Sequence, residues 1–251
     1  MVAAALSRLM DANRWVKAFE INLEHRREPD WSDRCDLPAE TKRDLGRSLS
    51  HFQLGESGGG TFLLRGANAR AATAGDPAYP RALELFIAEE NEHARLLSRL
   101  CERYGATLIT EHWTHFFFHH VRQIGGIDFE LIVLVAAELI GNAYYETLLA
   151  HMHDEPLRQA ARLILRDEAL HCEFHLDRLT DVLAKRGRLS RQFFAISVKI
   201  LFEAALAVAW NDHARGVRAA GGSRAEFSER AHDWLHHFLS GLGLVAVEVP
   251  S

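Results

Sequence analysis

The chain has 251 residues, 48% of them hydrophobic, and a formal net charge of −5. That is enough apolar material for one core, so 1–251 is expected to be a single domain. The acidic balance and the absence of a basic run speak against a nucleic-acid partner. Three cysteines, Cys35, Cys101 and Cys172, without a Cys-x-x-Cys pair, speak against a disulfide framework or zinc knuckle and for a reducing compartment.

The first ten residues are mildly apolar, but Asp11, Arg14 and Lys17 follow at once, unlike a signal peptide. A helix is predicted near 3–27, then an irregular charged segment over 28–38. A long core helix follows over about 40–72, closed by Thr73-Ala-Gly-Asp-Pro77. The second core helix starts with Pro80 in its first turn and ends near Gly105. Residues 106–126 form a crossover with a short helix near 111–123 and a break at Gly125-Gly126. Its Glu111-His-Trp-Thr-His-Phe-Phe-Phe-His-His120 segment reads as packing aromatics with exposed histidines. The third core helix covers about 128–153. The fourth begins at Pro156, with Asp154 as candidate N-cap, and ends near Gly187. Two further helices, about 190–216 and 223–240, and an apolar tail complete an all-α chain. The most apolar stretch, 193–210, is interrupted by Lys199 and Glu203, so no membrane span is expected and the location is read as cytoplasmic.

Two Glu-x-x-His elements, Glu90–His93 and Glu168–His171, occupy similar places in the second and fourth core helices. Positions i and i+3 share a helix face, so each pair can grip one ion with an oxygen and a nitrogen. The preceding helix of each pair carries one well-placed glutamate, Glu56 and Glu138. Alone the motif is weak: 21 glutamates and 15 histidines give about one by chance. Depth along the helices strengthens it. At roughly 1.5 Å per residue, Glu56 and Glu90 meet across their turn within about one helical turn, and so do Glu138 and Glu168. Two such hairpins bring six ligands together in the pattern of one Glu from each of two helices and a Glu-x-x-His from each of the other two. Glu138 is flanked by Phe129-Glu-Leu-Ile-Val-Leu-Val-Ala-Ala and Leu139-Ile140, and a buried acid needs a partner. Four carboxylates with imidazoles suit two divalent ions, iron or manganese, better than a thiolate-preferring structural zinc. A third pair, Glu229/His232 with Glu203 upstream, is read as an exposed covering helix. Glycines 58–60 just past Glu56 cost on the order of 1 kcal/mol each in a helix interior, which points to a distorted turn or a close approach of substrate or a neighbouring helix there, a simple helix end being the plainer alternative.

Ala88-Glu-Glu-Asn-Glu-His93 is similar to the first metal motif of the soluble acyl-carrier-protein desaturases. Arg166-Asp-Glu-Ala-Leu-His171 resembles the second motif of those enzymes and of the ribonucleotide reductase small subunit. The chain thus resembles the ferritin-like di-iron carboxylate superfamily over roughly 45–180. The resemblance implies a ferritin-like four-helix bundle with a long crossover, the metal-binding part spanning about 40–186, and accessory helices at about 3–27 and 190–240. It implies ligands Glu56, Glu90, His93, Glu138, Glu168 and His171, with Asp167 accepting a hydrogen bond from His93 and Glu89 doing the same for His171. The chain is shorter than the desaturases, and longer than a storage ferritin by two C-terminal helices.

The expected activity is an O₂-dependent oxidase or oxygenase with an Fe/Fe centre, Mn/Fe being the other metal pair the ligand set admits. It would act on a small or acyl-type substrate with an electron donor of unspecified kind. Tyr145, seven residues past Glu138 on the same face, is either a donor or redox partner to the centre or a plain core tyrosine. His175, one turn beyond His171, is read as a neighbour of the ligands rather than a seventh ligand. The rival readings are a non-catalytic iron-binding or peroxide-protective protein and, behind it, a tRNA hydroxylase. Helix-rich proteins of this class often pair, which admits a homodimer.

Overall fold

The computed structural model describes residues 11–57, 60–74, 77–110 and 127–245, and every regular element among them is an α-helix. In chain order these are α1 (Ala12–Glu24), α2 (Ala39–Glu56), α3 (Thr61–Ala74), α4 (Ala78–Arg103), α5 (Ile127–His151), α6 (Glu155–Ala184), α7 (Arg188–Ala220) and α8 (Arg224–Gly241). The start of the N-terminal helix, the crossover helix expected at 111–123 and the end of the apolar tail lie outside the described residues.

Local signals explain most boundaries. Asp11 caps α1 by accepting from the backbone of Asn13 and Arg14. Ser223 caps α8 by accepting from Glu226 N at 3.1 Å, and Pro156 sits in the first turn of α6. Two expectations are corrected. Asp154 occupies the N-cap position of α6, but its carboxylate makes no cap. It is buried and taken by Arg103 (2.7 Å) and the Tyr104 hydroxyl (2.9 Å), a stronger charged partner than a backbone amide. The helix expected over 40–72 is two helices. The first ends at Glu56 with Ser57 at its C-cap, and the next begins at Thr61. Gly60 has φ +56°, and a Cβ there would sit 2.6 Å from Ile87 Cγ1 on α4. Only glycine tolerates both the left-handed backbone and that approach.

Contacts give the directions of the core helices. On α2 and α4, Gly46 lies by Cys101 while Glu56 lies by Glu90, so the two are antiparallel. On α4 and α6, His93 meets Asp167 and Glu89 meets His171, again antiparallel. On α5 and α6, Glu138 meets His175 and Asn142 meets Cys172. α4 and α5 therefore run the same way. α1 lies across α4 and α6 through an aromatic cluster: Trp15 packs on Phe174 (5.5 Å between centroids), Phe19 on Phe174 (5.4 Å), and Phe86 on Phe174 (6.0 Å). α7 packs on α2 and α5, and Gly216 admits the close approach to Ser48. α8 joins α5 through His151–Glu226 (2.8 Å) and Arg230–Glu146 (3.6 Å).

Among the described residues, two helices are long and apolar enough to cross a membrane, at Leu131–His151 and Arg188–Ala220. The first is mostly enclosed by its neighbours, as a core helix is. The second is mostly uncovered.

Candidate metal centre

Four helices each deliver carboxylate or imidazole groups to one depth in the bundle. Glu56 is the last residue of α2; Glu90 and His93 are on α4, Glu138 on α5, and Glu168 and His171 on α6. They form two overlapping groups that could hold a metal ion: Glu56, Glu90, His93 and Glu168, and Glu138, Glu168 and His171. In each group the ligand atoms lie within 4.8 Å of one another. The two motif glutamates lie between the two histidines. Glu168 is 3.3 Å from His93 Nδ1 and 3.7 Å from His171 Nδ1; Glu90 is 3.8 Å and 2.9 Å from the same atoms.

The outward nitrogens are committed. His93 Nε2 meets Asp167 Oδ2 at 3.1 Å, and His171 Nε2 meets Glu89 Oε2 at 2.9 Å, all four groups being buried. A carboxylate can only accept, so each imidazole donates from Nε2 and keeps its Nδ1 lone pair for the interior. The two acids are joined by α1. Asn22 Nδ2 donates to Glu89 Oε1 (2.7 Å) and to Asp167 Oδ1 (2.8 Å), and the Arg26 guanidinium pairs with Asp167 and lies 3.8 Å from Glu89. Arg166 adds a second cation to Asp167 at 2.9 Å. Asn22 and Arg26 were not anticipated from the sequence. The available signal was their spacing of four, which sets them on one face of α1.

Inside this frame, acceptor faces acceptor. With both Nε2–H bonds spent, the Nδ1 lone pairs point at the Glu90 and Glu168 carboxylates. Among the described residues, His93 Nδ1, His171 Nδ1, Glu90 Oε1, Glu138 Oε2 and Glu168 Oε2 are buried without a hydrogen-bond partner. Unpaired buried acceptors are costly, and what this set lacks is positive charge. Without metal, protons supply it. Burial pulls the His93 pKa down, but Asp167 and Glu168 outweigh that and hold it at about 9. His171 is raised in the same way, by Glu168, Glu89 and Glu90 against the pull of burial. Burial, then the charges of Glu90 and Glu168, pushes Glu56 well above the usual carboxylate range. Glu138 is raised by burial, partly offset by His175. Burial would raise Glu168 too, yet its contacts with His171 and His93 bring it down to about 2. The donors therefore fit a cation: hard oxygens and imidazole nitrogens, converging, unpaired and sharing protons that a metal would displace.

The neighbours complete the picture. His175 Nε2 reaches Glu138 Oε1 at 3.0 Å, leaving Oε2 for the interior, so His175 orients the Glu138 carboxylate and is not in either group itself. Tyr145 is buried, and its hydroxyl has no hydrogen-bond partner among the described residues. Burial, with the nearby charges of Glu56 and Glu168, raises its pKa well above the usual phenol value. Phe86 lies against His171 (4.4 Å between centroids) and His175 (5.2 Å), and Phe19 covers His171 at 6.0 Å; these rings keep water off the imidazoles. The third pair gathers no such set. His232 is exposed, with Nε2 on Glu203 at 2.8 Å and Nδ1 facing the Ser228 carbonyl at 2.7 Å.

Comparison with protein-family models, curated proteins and solved structures gives no match for this chain. The functional reading therefore rests on the geometry of the site.

Proposed function

We propose that this chain is a ferritin-like di-metal carboxylate protein whose two ions, iron in each position or manganese with iron, activate O₂ to oxidise a small or acyl-type organic substrate. One observation carries the reading. Two histidines tethered through Nε2 to acids point their free nitrogens at two glutamates that each lie between them. Two carboxylates shared between two imidazoles would suit a pair of cations held by these residues. The antiparallel pairs α2/α4 and α5/α6, with α4 and α5 running the same way, support the ferritin-like arrangement.

On this reading Glu56 and His93 serve one ion, Glu138 and His171 the other, and Glu90 and Glu168 lie between. Four carboxylates balance two divalent charges, and the imidazoles bring none of their own once deprotonated. The bound pair of ions would supply O₂ binding and electrons at a single point. The rest is the protein's part. Asp167 and Glu89 fix the tautomer and plane of each imidazole, His175 holds one oxygen of Glu138, and Phe19 and Phe86 keep the surroundings dry. The Tyr145 phenol, protonated and unpaired beside the carboxylates, is placed to hold or give a proton at its hydroxyl oxygen.

The test is metal quantification on the purified protein with anomalous diffraction at the iron and manganese edges. Two ions per chain on the six named residues is the expected result. An oxygen electrode then separates the activities. Substrate-dependent O₂ uptake supports an oxidase, whereas iron accumulation as a mineral without organic product makes the protein a store. A chain that binds no transition metal after loading overturns the reading.

A further inference from the structure

The N-terminal half of α7 breaks the pattern of the other helices. Leu189, Phe193, Ile196 and Ile200 are 71%, 70%, 54% and 66% exposed. Their spacing of four, three and four residues sets them on one face. Phe194, Val198 and Phe202 take the opposite face into the core. Scattered exposed apolar residues need no explanation, but a contiguous stripe of large ones does.

The charge beside the stripe says what it fits. From 185 to 202 the chain carries Lys185, Arg186, Arg188, Arg191 and Lys199 and no acid, in a protein whose net charge is −5. Arg188 and Lys199 are exposed and eleven residues apart, about three turns, so they line the same flank of the stripe. Lys185 is exposed just before the helix starts, and Arg186 lies over the Phe194 ring at 5.4 Å. Glu203, the first acid beyond, is paired with His232. An apolar stripe edged by cations matches an anionic lipid surface, whose headgroups take the charges while the acyl boundary takes the side chains. A second copy of the chain would instead bring these cations toward one another.

We infer that this half of α7 docks the protein on an anionic membrane surface, lying in the interface rather than crossing the bilayer. The C-terminal half of the same helix packs on α2, with Ser48 Oγ 2.9 Å from His213, and carries Asp212 and Arg215, which excludes a span. The surface is separate from the carboxylate cluster, so this inference stands or falls independently of the metal reading.

Vesicle flotation of the full chain tests it, with vesicles of phosphatidylcholine alone and of equal parts phosphatidylcholine and phosphatidylglycerol. The expected result is binding to the anionic vesicles only, weakened by salt. The pair Arg188→Glu/Lys199→Glu should lower the partition at least about tenfold, from a contribution near 1 kcal/mol per basic residue. The pair Phe193→Ser/Ile200→Ser should lower it comparably while leaving metal content unchanged. If the apolar pair fails to fold, the charge-reversal pair carries the test. Equal binding to neutral vesicles, no binding to either, or a dimer that Phe193→Ser/Ile200→Ser dissociates without any vesicle binding would each overturn the inference.

Discussion

The Glu89 carboxylate accepts a 2.9 Å hydrogen bond from His171, 82 residues away on an antiparallel helix. Asp167 does the same for His93, so the acid before each motif serves the histidine of the other. The reciprocity locks α4 and α6 in register and sets both imidazoles at once. Several consequences can be measured.

Glu168 belongs to both ligand groups. Glu168→Gln is therefore expected to lower bound metal from two ions per chain to less than one, whereas Glu56→Gln, at the edge, leaves one tightly held. Without metal the sign reverses for Glu56, because burial and like charges oppose its ionisation. Glu56→Gln should raise the melting temperature of the metal-free protein at pH 8 by a few degrees, about what 1 kcal/mol is worth in a chain of this size. Metal analysis and calorimetry check the two halves.

Acidity should tune stability and metal uptake in opposite directions. The pKa of His93 rises from 6.5 unfolded to about 9 folded, so its contribution is full below 6.5 and lost as pH climbs through 9. Glu56 and Glu138, raised above 4.5, add to the loss as pH increases. Glu168, depressed to about 2, contributes above 4.5 and fails only as pH falls toward 2. Urea midpoints of the metal-free protein should drop between pH 6.5 and 9, while affinity for ferrous iron climbs over the same interval as protons leave the ligands. A metal-free midpoint that rises across that range would contradict the assignment.

Arg26→Ala strips the guanidinium from fully buried Asp167. Arg166, Asn22 and His93 still hold Asp167, so the cost is that of one charged hydrogen bond, about 1.5–3 kcal/mol, and loosening a group that orients an imidazole lowers metal affinity about 10–100-fold. Asn22→Ala, which removes two neutral donors, should cost about 1–3 kcal/mol. Chemical denaturation and metal competition separate the losses. Wild-type affinity in Arg26→Ala would show that α1 merely packs on the site.

Gly60→Ala combines a left-handed backbone with overlap on Ile87. A loss of about 1–3 kcal/mol is expected. Adding Ile87→Ala should relieve the overlap but not the backbone strain, so the double variant loses less than the sum of the two single changes. A double-mutant cycle by urea unfolding decides it.

The six clustered residues were legible because ligand chemistry left two repeating motifs, and because 1.5 Å per residue turns sequence spacing into depth along a helix. Asp167 and Glu89 followed from a family resemblance at the motif itself. Asn22 and Arg26 were not legible: the partners of Asn22 lie 67 and 145 residues on and Asp167 lies 141 beyond Arg26, and only the docking of α1 selects which of its polar residues meet the acids. Asp154 misled because one residue type serves two purposes, and a buried arginine outcompetes an amide. Residues 58–60 were flagged as anomalous, but glycine alone does not say whether a helix bends or stops; the Ile87 side chain decides that.

The bridge from Asn22 to Asp167 has a bearing on how the molecule is made. Its two ends are separated by 145 positions, so α1 can meet α4 early but completes this bridge only once α6 has been made. Glu89 and His93 on α4 likewise meet their reciprocal partners, His171 and Asp167, only when α6 is present. The final orientation of both imidazoles is thus a late step, set by the arrival of α6 rather than by α1 and α4 alone.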